Sequence, residues 1–116
     1  MRRMLGVIAA GAMVILSSGI SHAAEGWIQE NVTITKIVSV GNNQDDFYLI
    51  TAGGTGNCLN GSYVHFYASN APNAAAHARS FSAALAAFLA GKTVSIWSYT
   101  SATDCTKAQS IQVNAS

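Results

Sequence analysis

Between Ala71 and Tyr99 the spacing of apolar and polar positions changes once, and this change organises the reading of the whole chain. Phe81, Leu85, Phe88 and Leu89 recur at helical spacing, with Ala84 on the same face, which predicts a helix that buries this face. Most other positions of the segment are alanine, the strongest helix former. Pro72 falls where a first helical turn tolerates proline, and Asn70 or Asn73 is placed to cap it. Gly91 is placed to end the helix, with Lys92 at the negative end of its dipole. The period then becomes two: Val94 and Ile96 point one way, and Thr93, Ser95, Trp97 and Tyr99 the other.

The remaining pattern is of short strands. Asn31 to Val40 is rich in β-branched residues and reads as a long first strand. Val32, Ile34, Val38 and Val40 share a face that Lys36 interrupts, which predicts a bulge or bend near Lys36. After a polar turn, Phe47 to Ala52 is apolar on both faces, as in a central strand covered on both sides. Gly53 to Asn57 reads as a flexible loop. It lacks the lysine and following helix of a phosphate-binding loop, which sets nucleotide binding aside. Asn60-Gly61 marks a turn, and Ser62 to Ala68 alternates as a third strand, with Val64 and Phe66 opposite Tyr63, His65 and Tyr67. A last strand, Ala108 to Asn114, is expected to turn Ile111 and Val113 inward. The predicted order β-β-β-α-β-β is that of a mainly β, five-stranded OB-fold-like barrel, with the helix between strands three and four. An open α+β sheet with the helix on one face is the competing arrangement.

Composition changes the picture at the N-terminus. Arg2 and Arg3 precede an uncharged apolar run from Met4 to Leu16, and Ser21-His22-Ala23 offers the small residues of a cleavage site. Residues 1–23 therefore read as a signal peptide and 24–116 as a single exported domain, periplasmic or secreted, with no stable membrane span after cleavage. An N-terminal anchor is the alternative. The whole chain carries a formal charge of +1. Without Arg2 and Arg3, four cations face five carboxylates, and no basic footprint for nucleic acid is left. The two cysteines, Cys58 and Cys105, most simply form one disulfide in an exported chain, with free thiols or metal ligands as the alternative. Such a bridge closes a loop of about 47 residues and is worth roughly 4 kcal/mol in the chain-entropy account.

The segments NVTITKI, DDFYLITAGG and ARSFSAALAAFLAGKTVSIWSY, with a cysteine on each side of the last, resemble a group of small exported proteins of gammaproteobacterial type. More distantly they resemble the B subunits of subtilase- and pertussis-like AB5 toxins. That resemblance implies an OB-fold, assembly into a pentameric homo-oligomer and binding of cell-surface glycans. Glu30 stands where those subunits carry a sugar-contacting serine, so their contact residues are not carried over.

No catalytic motif, metal-ligand spacing or cofactor signature is present, and the reading is of a non-catalytic binding module. Trp97 and Tyr99 on one strand face, and Tyr63 and Tyr67 on another, are the candidate ligand-binding residues, because aromatic faces suit a sugar ring or a protein partner. Packing in the core is the competing role for them. His65 and His77 are each isolated in sequence and expected in surface or hydrogen-bonded roles. Asp45-Asp46 reads as a solvated turn. Asn31-Val32-Thr33 and Asn60-Gly61-Ser62 match the glycosylation sequon, which counts only in a eukaryotic host. The alanine face of the helix, with Ala75, Ala76, Ala83, Ala86 and Ala87, suits either a subunit contact or helix propensity alone. Two partner classes follow: a cell-surface glycan, or an envelope protein bound by an interaction or inhibitor module.

Overall fold

A computed structural model describes residues 24–42 and 45–115. The proposed leader, residues 1–23, lies outside the described residues. The chain forms β1 (Gly26–Ser39), β2 (Phe47–Ala52), β3 (Thr55–Gly56), β4 (Tyr63–Phe66), one helix α1 (Ala74–Ala90), β5 (Thr93–Ser98) and β6 (Ser110–Val113). The architecture is mainly β: a single antiparallel sheet of six strands and, among the described residues, one α-helix. The sheet path is β4-β2-β1-β5-β6, with β3 paired to β1 beside it.

This differs from the expected five strands. The glycine-rich segment expected as a plain flexible loop contributes β3, whose Thr55 and Gly56 pair with Glu30 and Gln29. Its glycines are demanded by close approach: a Cβ on Gly54 would lie 2.3 Å from the Glu30 carbonyl oxygen, and one on Gly56 would lie 2.3 Å from that of Ile28. Among the described residues no strand pairing joins β4 to β6. Instead the His65 N–H donates to the Cys105 carbonyl at 2.7 Å.

β1 begins five residues earlier than the sequence pattern indicated, at Gly26 rather than Asn31. The cause is irregular register. Shifts between Trp27 and Gln29 and between Gln29 and Val32 leave both Ile28 and Gln29 buried, which destroys the alternation that would have marked the strand. Asn31 takes a left-handed φ of 56° at this bend. A further shift falls between Ile34 and Lys36, at the position where Lys36 interrupts the apolar face. So bent, β1 pairs with β5 through its first half and with β2 through its second.

The inner face gathers Ile28, Val32, Ile34, Phe47, Leu49, Val64, Phe66, Val94 and Ile96, with Phe47 and Phe66 stacked at 4.7 Å. The helix closes this core with only part of the expected face, Phe81 and Ala84. His77, Ala84 and Ala87 are buried and Phe81 packs against the core, whereas Leu85, Phe88 and Leu89 are 39%, 40% and 76% exposed. Alanine brings the helix axis close to the sheet, and the larger side chains are turned aside. Asn73 caps the helix by accepting from the Ala76 N–H at 2.8 Å. Pro72 therefore precedes the cap rather than entering the first turn. Gly91 ends the helix in the left-handed conformation. β4 is shorter than expected because a 3₁₀ turn, Ala68–Asn70, follows it. In β6, Ile111 packs on the core, but Val113 is exposed, since the end of an edge strand has no neighbour to cover it.

Cys58 and Cys105 form the expected disulfide, with a Cα–Cα distance of 6.3 Å. It ties the segment between β3 and β4 to the loop before β6.

Candidate functional site

The four aromatic residues singled out in the sequence fall into two separate clusters. Cross-strand pairing places Trp27 opposite Trp97, and Trp97 opposite Ser110. The two indoles meet edge to face with centroids 4.9 Å apart, and Tyr99 adds a third ring 6.2 Å from Trp97. Trp97 is half-buried, whereas Trp27 is 37% and Tyr99 60% exposed. The Trp97 indole N–H is buried without a hydrogen-bond partner among the described residues. Trp27 was not singled out in the sequence, because it counts as a strand residue only once β1 is known to start at Gly26.

Next to the indoles on the same outer face lies a set of amides and hydroxyls. Ser95 pairs with Gln112, and the Asn114 side-chain NH2 donates to Asn31 Oδ1 at 3.2 Å, Ser95 Oγ at 3.2 Å and Thr93 Oγ1 at 3.3 Å. Gln112 Nε2 in turn donates to Asn114 Oδ1 at 3.0 Å, and the Asn31 N–H donates to Ser95 Oγ at 3.1 Å. Asn31 and Gln112 are exposed. The result is an apolar, aromatic platform edged by preset polar groups.

The second cluster occupies the outer face of β2 and β4. Tyr48 pairs with His65, and their rings lie 4.2 Å apart. Tyr63 is 5.6 Å from Tyr48, and Tyr67 stacks on His65 at 5.2 Å. Tyr63 is 40% exposed and Tyr67 half-buried. Burial, followed by the Tyr48 hydroxyl beside it, raises the Tyr67 phenol above its ordinary pKa. Burial lowers the His65 pKa, against an opposing pull from Asp104. His65 Nδ1 is buried without a partner among the described residues. Asp104 is itself held below the usual carboxylate range by hydrogen bonds from the Thr106 hydroxyl, at 2.6 Å, and then from the Thr106 N–H, at 2.9 Å. The apolar pattern expects the Tyr48 face of the second strand to be covered; Tyr48 is instead half-buried, beside Tyr63 and Tyr67.

One interior residue escaped sequence reasoning altogether. Gln29 is fully buried, and it donates to the Asn57 and Cys58 carbonyls at 2.9 and 3.0 Å while accepting from Thr51 Oγ1 at 2.8 Å. It clamps the glycine-rich segment and the disulfide onto β1 and β2. His77 is buried against Phe47, with Nε2 hydrogen-bonded to the Asp45 carbonyl. Asp46, expected in a solvated turn, is instead buried, and its Oδ1 accepts from the Ala68 N–H at 2.8 Å. Among the described residues no group of three or more His, Cys, Asp or Glu side chains could hold a metal ion. No helix among them is long and apolar enough to cross a membrane.

The fold and this surface define a disulfide-linked, mainly β domain with an outward aromatic face. The chain belongs to a family of unknown function, DUF5992, which it matches over residues 8–115. No curated protein and no solved structure matches it.

Proposed function

We propose that this chain is an exported, non-catalytic binding module that holds carbohydrate on the outer face of β1, β5 and β6. The observation that carries the reading is the edge-to-face Trp27–Trp97 pair, partly exposed and extended by Tyr99. A pyranose ring presents apolar C–H faces that stack on aromatic rings, and its hydroxyls need donors and acceptors at the rim. Asn31, Gln112 and Asn114 supply the latter. The disulfide is compatible with export.

The finer fold assignment is an OB-like barrel left open on one side, with β3 as an addition. Two features support it: the path β4-β2-β1-β5-β6, and the position of α1 in the chain between β4 and β5. Leu85, Phe88 and Leu89 on one helix face support a homo-oligomer, for which the toxin resemblance implies a ring of five.

A glycan array probed with the oxidised protein tests the carbohydrate reading. Saturable binding is expected, with Trp27→Ala and Tyr99→Ala each weakening it about tenfold and Tyr63→Ala leaving it unchanged. Binding that survives both substitutions, or no binding to any glycan, overturns it. A second reading, a module that binds an envelope protein, is favoured by one observation, the uncovered edge of β6.

A further inference from the structure

The two edges of the sheet are treated differently. At β4 the disulfide loop lies along the edge, and the Cys105 carbonyl takes the His65 N–H. At β6 nothing does so: among the described residues this strand pairs with β5 alone. Proteins that leave an edge strand open usually protect it with a charge, a proline or a bulge. The strand Ser110-Ile111-Gln112-Val113 has none of these.

An open trough of about 1060 Å³ lies between this strand and the helix. Its helical wall is built from small side chains, Ala76, Ser80 and Ala83, and its sheet wall from Ser110 and Ile111. A strand added to a sheet edge lies about 4.8 Å away and needs room for side chains on both faces, which small wall residues leave. No acidic residue lines the trough, and its single formal charge is Arg79. Arg79 makes no ion pair among the described residues. A guanidinium presents a planar fork of donors that matches a carboxylate.

We propose that an extended segment of a partner protein adds to the open edge of β6 as a further strand and seats a carboxylate against Arg79. This surface does not depend on the carbohydrate reading. Tyr99 lines one end of the trough, but Trp27 and Trp97 do not.

The test uses the oxidised, exported protein and two probes: an acetylated octapeptide of alternating threonine and valine ending in a free carboxylate, and the same peptide as its C-terminal amide. Titration followed by amide hydrogen exchange is expected to slow exchange at Ser110–Val113. The carboxylate form is expected to bind about tenfold more tightly than the amide. Arg79→Gln is expected to equalise the two peptides while the β6 protection given by the amide form persists. Three results overturn the proposal. Exchange at β6 does not respond to either peptide; the carboxylate preference survives Arg79→Gln; or β6 becomes protected with rising protein concentration alone, with a matching rise in mass by light scattering, which assigns the edge to a second copy of the chain.

Discussion

Replacing Gln29 by leucine tests whether the buried amide holds the disulfide segment in place. The substitution keeps roughly the same volume and removes three hydrogen bonds at once. The Thr51 hydroxyl is 1% exposed, so it is stranded without water, at a cost of about 1–3 kcal/mol. Cys58 is half-buried and Asn57 exposed, so their carbonyls regain some hydration, and together they cost about 2 kcal/mol. Burying leucine in place of an amide returns roughly 1–2 kcal/mol. The expected net loss is about 1–4 kcal/mol, set against the roughly 5–15 kcal/mol of a typical domain. Urea unfolding of the oxidised protein reads it as a lower midpoint with an unchanged slope. Adding Thr51→Val removes the stranded hydroxyl, so the double variant is expected to be about 1 kcal/mol more stable than the sum of the single losses allows. A Gln29→Leu loss below about 1 kcal/mol, or strict additivity with Thr51→Val, refutes the clamp.

Three further outcomes are expected. Gly54→Ala forces a Cβ against the Glu30 carbonyl at φ +61° and is expected to cost more than about 2 kcal/mol in thermal or urea unfolding, whereas Gly41→Ala meets nothing within 4 Å and stays within about 0.5 kcal/mol. Reduction, or Cys58→Ala with Cys105→Ala, opens a 47-residue loop and is expected to lower stability by roughly 4 kcal/mol, read by denaturation with and without a reductant. For acid sensitivity, folding lowers the His65 pKa from its ordinary 6.5, so the unfolded chain binds the proton first. Stability is then complete above pH 6.5 and falls as pH drops towards the folded value. His65→Phe is expected to flatten that part of a pH series, leaving a further loss at lower pH as Asp104, whose pKa is also lowered on folding, takes up its proton.

The sequence pattern was sound where alternation or helical spacing ran undisturbed. Phe47–Ala52 is a strand with the expected bounds, Asn73 and Gly91 delimit the helix, and Lys36 marks a true shift of register. It failed where backbone irregularity or side-chain size decides. The bends at Gln29 and Asn31 bury two consecutive residues, so Gly26–Glu30 showed no period of two. Helical spacing defines several overlapping faces: Phe81 and Ala84 meet the core as the pattern indicates, but close packing adds His77 and Ala87 in place of Leu85, Phe88 and Leu89. The irregular start of β1 also hid one of the three rings of the aromatic site. Trp97 and Tyr99 were visible, but Trp27 needed the pairing of β1 with β5.

The bend in β1 also separates the two aromatic clusters. Trp27 lies near the start of the strand against β5, and Val38, whose cross-strand partner is Tyr48, lies near its end against β2. Eleven residues of strand between them correspond to about 36 Å of contour before the bend shortens it. Among the described residues no ring contact links Trp27, Trp97 and Tyr99 to Tyr48, Tyr63, His65 and Tyr67, so a single sugar ring stacked on Trp27 is expected to engage the first cluster alone. Two substitutions, one on β1 and one on β4, thus probe separate surfaces. Trp27→Ala acts on the indole platform, and Tyr63→Ala on the cluster whose neighbours Tyr67 and His65 carry the shifted pKa values. A ligand sensitive to Trp27→Ala and indifferent to Tyr63→Ala belongs to the β1–β5 face. The reverse pattern moves recognition to β2 and β4, onto the Tyr48, Tyr63, His65 and Tyr67 rings. Equal sensitivity to both is incompatible with a single small ligand on the bent strand and requires an extended chain of sugars or a second protomer bridging the two faces.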